Sequence, residues 1–276
     1  MNTLFLYVPE VTLLKFKKPH DFTYKSGQWV RIACSELNAN EFHPFTLSSS
    51  PNENHLSVHI RAVGPWTTNI RKVFDPAIPR VGGKPSIRLD GPYGEAHQDW
   101  HKCDVAILVG GGIGVTPFAS ILKDIVYKSN LQKENVKKKV YFLWVTRTQR
   151  QFEWLVDIIR ELEQTDINET VVVHIFITQF YKKFDLRTIL LYICETQFQK
   201  TAGRSLFTGL RAVTHFGRPD FYQFFKHIGQ IHQSARNIGV FTCGPPHMSN
   251  SVESATRKMT ERSNTDQLFS HHYTNF

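Results

Sequence analysis

Cysteine is scarce in this chain. Four cysteines in 276 residues, Cys34, Cys103, Cys194 and Cys243, lie far apart, and none forms a CxxC pair. Neither a zinc site nor a disulfide framework follows from such spacing, and the usage suits a reducing, cytosolic face. Long apolar runs are missing as well: none approaches the ~20 residues that cross a bilayer. Met1 to Tyr7 has neither a basic start nor a cleavage site, so no secretory signal is read there. Internal repeats and low-complexity linkers are absent. Dense basic clusters are scarce despite a net charge of +9. A basic balance can serve nucleic acid, anionic lipid or phosphorylated ligands. Here Lys and Arg are scattered, and Lys137 to Lys139, the one tight group, reads as a solvated loop before a strand; nucleic acid is not an expected partner. Thirteen histidines do not assemble a metal set. His55 and His59 lie in an alternating segment and do not share a helical face, His97 and His101 flank a turn, and His271 and His272 point oppositely if extended.

What is present divides into two patterns. Residues 1 to about 100 read as short strands separated by turns: Leu4–Leu6, Val11–Phe16, Trp29–Ile32, Phe45–Leu47, Leu56–Ile60 and Ile87–Leu89, with one helix over Thr67–Phe74. Such spacing predicts a small antiparallel barrel. Gly82-Gly83-Lys84-Pro85 reads as a loop, and Asp90 to Gly94 reads as a turn at a domain edge. From about residue 101 strands alternate with helices, which predicts an open, mostly parallel α/β sheet. Its strands are expected at Val105–Val109, Lys139–Thr146, Val171–Thr178 and Ile238–Thr242. Helices are expected after Thr116, around Phe152–Leu162, over Leu186–Glu195 and from the Pro245-Pro246 region to about Arg262; the chain closes on Phe269 to Phe276. Two domains, 1–100 and 101–276, suit this length.

The second domain opens on Asp104 to Pro117, DVAILVGGGIGVTP. Val105 to Val109 form an unbroken apolar run, the pattern of a strand buried on both faces. Gly110, Gly111, Gly112 and Gly114 follow, and they let the backbone turn tightly and approach a ligand. Thr116 and Pro117 supply an N-cap and a proline at the first helical position. Free N–H groups and the helix dipole there favour a phosphate; the alternative is a tight structural turn. The motif is GxGxxP rather than GxGxxG. Ligands of parallel sheets sit beyond the carboxyl ends of the strands, where the glycine run, Arg147-Thr148 and Cys243-Gly244-Pro245 all fall. Arg147 and Arg150 stand where an NADH-preferring site usually carries an acid, and arginine suits a 2′-phosphate. The alternative is surface arginine. Arg218 is a second basic candidate, with a plain turn the competing reading. Cys243 reads as a buried small residue, as a thiolate without an evident local histidine, or as a small, soft residue beside a flat ring; the loop context favours the last. In the first domain His43-Pro44-Phe45-Thr46 offers an imidazole, an aromatic and a hydroxyl, or else a plain edge strand. His59-Ile60-Arg61 with Gly64-Pro65-Trp66-Thr67 offers a charge and a second helix N-terminus, or else a hairpin and an ordinary cap.

Together these motifs resemble the ferredoxin–NADP reductase superfamily, and within it the dehydrogenase region of NADPH oxidases, most like that of the dual oxidases. The resemblance is carried by YKSGQWVRIAC, HPFTLSS, HIRAVGPWTT, LDGPYGE, VGGGIGVTPFASILKDIVYKS, WVTRTQRQFEWL, SLFTGLRAVTHFGRP, CGPP and HHYTNF, in that order over nearly the whole chain. It implies FAD and NADPH as cofactors, with hydride passing from nicotinamide to flavin and single electrons onward. His43, Pro44, Phe45 and Thr46 resemble the flavin-binding set, with Thr46 near the reacting edge. His59, Arg61, Trp66 and Thr67 resemble the contacts to the FAD pyrophosphate and ribose. Gly111, Gly112, Gly114 and Thr116 match the NADPH pyrophosphate loop, and Arg147 and Arg218 match positions near the 2′-phosphate. Cys243, Gly244 and Pro245 match the loop facing the nicotinamide, and Phe276 resembles the aromatic that stacks on the flavin. In the family's oxidases a haem-bearing transmembrane domain accepts the electrons, and calcium-binding or regulatory domains accompany it. None of these is in this sequence. It therefore reads as a fragment or incomplete product of such an oxidase, lying on the cytosolic face of a membrane, or as a free-standing reductase for a separate acceptor; a docking module without cofactor is the remaining alternative.

Overall fold

The computed structural model describes residues 4–8, 11–75, 77–78, 85–94, 98–131, 139–147, 153–179, 186–262 and 266–274. The expectations placed on Gly82-Gly83-Lys84, His97, Lys137-Lys138, Thr148, Arg150 and Phe276 fall outside these residues. Two compact units are present: Met1–Gln98 with Thr116–Asp124, and Asp99–Val115 with Ile125–Phe276.

In the first unit strands β1 (Leu4–Val8), β2 (Val11–Lys17) and β5 (His55–Arg61) form one sheet, in the order β1-β2-β5. Strands β3 (Trp29–Cys34), β4 (Ala39–Thr46) and β6 (Ile87–Tyr93) form a second, in the order β4-β3-β6. All pairings are antiparallel, and a bridge between Leu47 and Val58 links the two sheets. Side chains alternate across a strand, so Leu14 and Phe16, Val30 and Ile32, and Val58 and Ile60 turn inward and are buried. Helix α1 is the short turn Ser35–Asn38, and α2 (Pro65–Phe74) buries Trp66, Ile70 and Phe74, spaced four apart. Asp90 to Tyr93 lie inside β6, not in a turn as the sequence suggests. The ladder absorbs them by a register shift between Trp29 and Arg31, and Gly91 adopts φ +133°, open to glycine alone.

The second unit is one six-stranded sheet in the order β10-β9-β8-β7-β11-β12, parallel throughout. Its strands are β7 (Val105–Gly111), β8 (Lys139–Thr146), β9 (Val171–Ile177), β10 (Val213–Phe216), β11 (Asn237–Cys243) and β12 (Leu268–Thr274). Helices α3 (Thr116–Leu131), α4 (Glu153–Thr165), α5 (Leu186–Ala202), α6 (Phe221–Ile231) and α7 (Pro246–Arg262) connect them. Every residue of β7 is buried, as a central parallel strand requires. From β7 the strands run outward through β8, β9 and β10, then the order reverses to β11 and β12. The crevice at such a reversal is where open α/β sheets take ligands.

The sequence shows four of these strands. β10 is missed because four residues with one buried threonine and a half-buried histidine carry no apolar run, and β12 because its histidines and tyrosine mask an edge strand. Helix α6 carries a legible signal: Asp220 caps it by accepting from the Gln223 N–H, and Phe221, Phe225 and Ile228 form its buried stripe. Phe225 belongs to the core cluster that joins α6 to Val105, Ile107, Val240 and Phe269. Phe225→Ala is expected to destabilise the second unit by about 3–5 kcal/mol, the usual cost of such a cavity. Denaturant unfolding of native and variant chains measures it.

Candidate functional site

The site in the second unit is built where β7 and β11 end. Cys243 pairs in register with Gly110, so the two loops leave adjacent strands at the same level. They then touch backbone to backbone. A Cβ on Gly114 would lie 2.7 Å from the Cys243 carbonyl oxygen, and one on Gly111 would lie 2.9 Å from Pro245 Cδ. A Cβ on Gly110 would lie 2.5 Å from Val115 Cγ1. Gly112 differs: it has φ +58° and nothing within 4 Å of its missing Cβ. Three glycines thus permit close packing, while Gly112 turns the backbone beneath open space. A 3-10 turn, Gly112–Val115, feeds directly into α3 at Thr116, which is buried. Helix α7 begins at Pro246, beyond the partner loop. Two helix N-termini therefore follow two adjoining loops, an arrangement that favours anions. Side chains at Gly111 or Gly114 would fill the contact that shapes this cradle, so its glycines fit a bound pyrophosphate.

Arg147 follows β8, the strand beside β7, two residues past the Gly111–Val145 pair. It is exposed, and its carbonyl accepts from the Gln179 N–H at 3.0 Å. Arg218 is also exposed and follows β10. Thr146 and Phe216 both pair with Ile177 of β9. The two arginines thus leave the sheet at nearly one level, two strand spacings apart, roughly 10 Å. Arg218 lines a cleft of about 600 Å³ with Asp220, Tyr222 and Lys258. Cys243 is fully buried. The structure thus groups Gly111, Gly112, Gly114, Cys243, Gly244 and Pro245, with Arg147 one strand away and Arg218 beyond β9; Thr116 follows Val115 in the chain. Phe276 lies outside the described residues.

In the first unit Trp66 is the centre of an aromatic group. The His43 ring lies 4.2 Å from it and Phe45 stacks at 5.7 Å. Trp66 is 8% exposed, and its buried indole N–H has no hydrogen-bond partner among the described residues. An orphaned donor of this kind costs about 1–3 kcal/mol, so it fits an acceptor on a bound group. Pro44 is exposed on the edge strand β4, the place where a residue without N–H is tolerated. Thr46 is buried at the end of β4 and pairs with Trp29. Arg61 is exposed at the end of β5. The Thr67 hydroxyl accepts from the N–H groups of Val63 (3.0 Å) and Gly64 (2.9 Å) and donates to the Gly64 carbonyl. That uses its whole capacity, so Thr67 offers a ligand only its backbone. His59 is buried with Nδ1 2.8 Å from Ser48 Oγ. Burial, aided by nearby Lys123, pushes its pKa down to about 3. The ring is neutral near pH 7 and offers a hydrogen bond, not a charge.

Sequence reasoning did not single out Trp66's orphaned N–H or Asp124. The Asp124 carboxylate is buried within the first unit and accepts from Ser26 Oγ at 3.0 Å and Asn52 Nδ2 at 3.2 Å. An acid amid the apolar stripe Phe118, Ile121, Leu122 and Ile125 was the available signal.

Two family models match the chain: an FAD-binding domain over residues 1–97 and the ferric reductase NAD binding domain over residues 103–257. Human dual oxidase 1 is 59% identical over 267 residues, 96% of this chain and 17% of the relative. Dual oxidase of Drosophila melanogaster is 48% identical over 97% of this chain and 17% of its own length. The chain thus spans about a sixth of the curated relatives it matches. Among solved structures, a ferredoxin-NADP+ reductase from Plasmodium falciparum with 2′P-AMP aligns at TM-score 0.64 and 15% identity, covering 99% of this chain and 94% of that one. A ferredoxin NADP+ reductase from Neisseria gonorrhoeae with bound FAD and NADP aligns at 0.59 and 14%, covering 98% and 97%; these two share the fold. The chain belongs to the ferric reductase NAD-binding family and carries an FAD-binding domain ahead of its NAD-binding domain.

Gly114→Ala is expected to destabilise the second unit by roughly 1–3 kcal/mol through overpacking. Gly112→Ala is expected to cost about 1–2 kcal/mol from backbone strain alone. Urea unfolding of the two variants measures both.

Proposed function

We propose that this chain draws reducing equivalents from NADPH through FAD and passes them singly to an acceptor, as the dehydrogenase module of a larger oxidase. The carrying observation is the contact of the two glycine loops at the reversal of strand order, Gly114 against the Cys243 carbonyl. FAD belongs to residues 1–100 and NADPH to residues 101–276. When bound, the two cofactors supply hydride transfer and the conversion from two-electron to one-electron chemistry. The chain's own work is positioning. Gly111, Gly112, Gly114 and Thr116 present backbone to the NADPH pyrophosphate. Arg147 and Arg218 hold the 2′-phosphate from two sides, with charge-assisted hydrogen bonds suited to phosphate. Cys243, Gly244 and Pro245 keep a small, flat wall beside the nicotinamide. On the FAD side, His43, Pro44, Phe45 and Thr46 would hold the flavin ring, with Thr46 toward its reacting edge and Phe45 beside it. The Trp66 indole N–H, His59, Arg61 and the backbone at Thr67 hold the FAD pyrophosphate and ribose. No side chain has to donate or remove a proton in hydride transfer.

The length of the dual oxidase relatives supports a parent with further domains. In that parent a haem-bearing transmembrane domain is the acceptor, oxygen is reduced to superoxide or hydrogen peroxide, calcium-binding or regulatory domains control the flow, and this chain lies on the cytosolic face. Among the described residues no helix is long and apolar enough to cross a membrane.

The chain purified with FAD is expected to lose its oxidised-flavin absorbance when NADPH is added without oxygen; an unchanged spectrum under saturating cofactor contradicts the reading. Arg147→Ala is expected to raise KM for NADPH by about 10–100-fold, the loss of a charged hydrogen bond of about 1.5–3 kcal/mol. KM for NADH should change little. Equal losses with both nucleotides would remove Arg147 from the 2′-phosphate site.

A further inference from the structure

A cluster of imidazoles lies beneath α6, apart from the groups placed at the cofactors. His174 of β9 and His215 of β10 face one another with Nδ1 and Nε2 at 3.0 Å. Both rings are half-buried. Phe176 stacks on His215 at 4.4 Å, and Phe224 of α6 meets His174 edge-on at 5.1 Å. Tyr141 of β8 stacks with His174 and hydrogen-bonds His232, at the end of α6, at 2.8 Å. The titratable groups around the pair are Tyr141 and Lys139 from β8 and His227 and His232 from α6. Those that act on the imidazoles by charge are all basic: His215 and His227 on His174, and Lys139 on His232.

The pair bonds one N–H to one lone pair only while at least one ring is neutral. A second proton would set two cations 3.0 Å apart among aromatic walls. β10 is the weakest place to absorb that repulsion. It has four residues, lies at the sheet edge and, among the described residues, pairs only with β9. The Gly217 N–H, donating to the Ile177 carbonyl at 2.9 Å, extends the same pairing to the residue before Arg218.

We infer that the His174–His215 pair, roofed by α6, is an acid-sensitive latch that holds β10 and with it the Arg218 loop, so that acidification loosens this edge of the nucleotide site. The link to nucleotide rests on the role of Arg218 proposed above; the latch itself does not. Burial, with His215 and His227 adding, pushes the His174 pKa down to about 4, and burial lowers His215 and His232 as well. A depressed histidine gives stability that is complete above its ordinary pKa and is lost as pH falls toward the folded value. The sensitive window therefore runs from about pH 6.5 down to about 4.

Amide hydrogen exchange over residues 213–231 of the whole chain tests it. Between about pH 8 and about pH 5.5, after correction for intrinsic exchange, the opening equilibrium should rise about tenfold from His174 alone. The double variant His174→Phe, His215→Phe keeps aromatic stacking and should lose this rise. Unchanged protection in the native chain, or an equal rise in the variant, overturns the latch. Should the variant not fold, imidazole NMR of the native chain decides: His174 and His215 staying neutral down to about pH 6 supports the latch, and ordinary titration near 6.5 overturns it. Binding of 2′-phospho-AMP at about pH 8 separately tests Arg218. Its absence would sink the nucleotide reading while exchange still judges the latch.

Discussion

The second unit depends on one contact, the approach of the Gly114 backbone to the Cys243 carbonyl. Parallel pairing of β7 with β11 brings both loops to the same level, but only glycine lets them touch. With any larger residue at Gly114 or Gly111 the loops would stand apart, and α3 and α7 would start from other positions. The anion-favouring end of the sheet is therefore a product of close packing. Gly112 complements this contact, since its positive φ turns the chain while leaving the space above it open. Proline rather than glycine at residue 117 fits the same arrangement. The loop's close approach is to its neighbouring loop, and the helix that follows needs a rigid first turn.

The two units handle charge differently. At the carboxyl edge of the parallel sheet, Arg147 and Arg218 stand exposed to solvent. In the first unit the central groups are neutral. His59 is held uncharged by burial, Thr67 spends its hydroxyl on its own helix cap, and Trp66 keeps an unpaired N–H between His43 and Phe45. The group is thus built for stacking and directed hydrogen bonds rather than for charge, with Arg61 as the exposed cation at the strand end.

Much of this was legible in the sequence, for physical reasons. Strand β7 announces itself by the unbroken apolar run Val105–Val109, and β8, β9 and β11 by largely apolar stretches, because both faces of a parallel sheet are covered. From a parallel sheet it follows that the glycine run, Arg147 and Cys243 share one edge, and the register bears that out. β10 was not legible, because it is four residues long, its buried residue is a threonine, and its half-buried histidine pairs with another histidine, a partner that no apolar count reveals. β12 was hidden similarly: His271 bonds Thr242 and His272 stacks on Phe241. The neutrality of His59 and the full engagement of Thr67 also escaped local reading. Each is decided by tertiary neighbours that sequence spacing does not show.

Nucleotide binding by this chain requires the two glycine loops to act as one phosphate cradle. An amide NMR titration of the isotope-labelled chain with NADP+ tests this most directly. Shifts concentrated in Gly111 to Thr116, Gly244 and Arg147 are the result expected. Saturable binding that leaves the Gly111–Thr116 and Gly244 amides unmoved would contradict it.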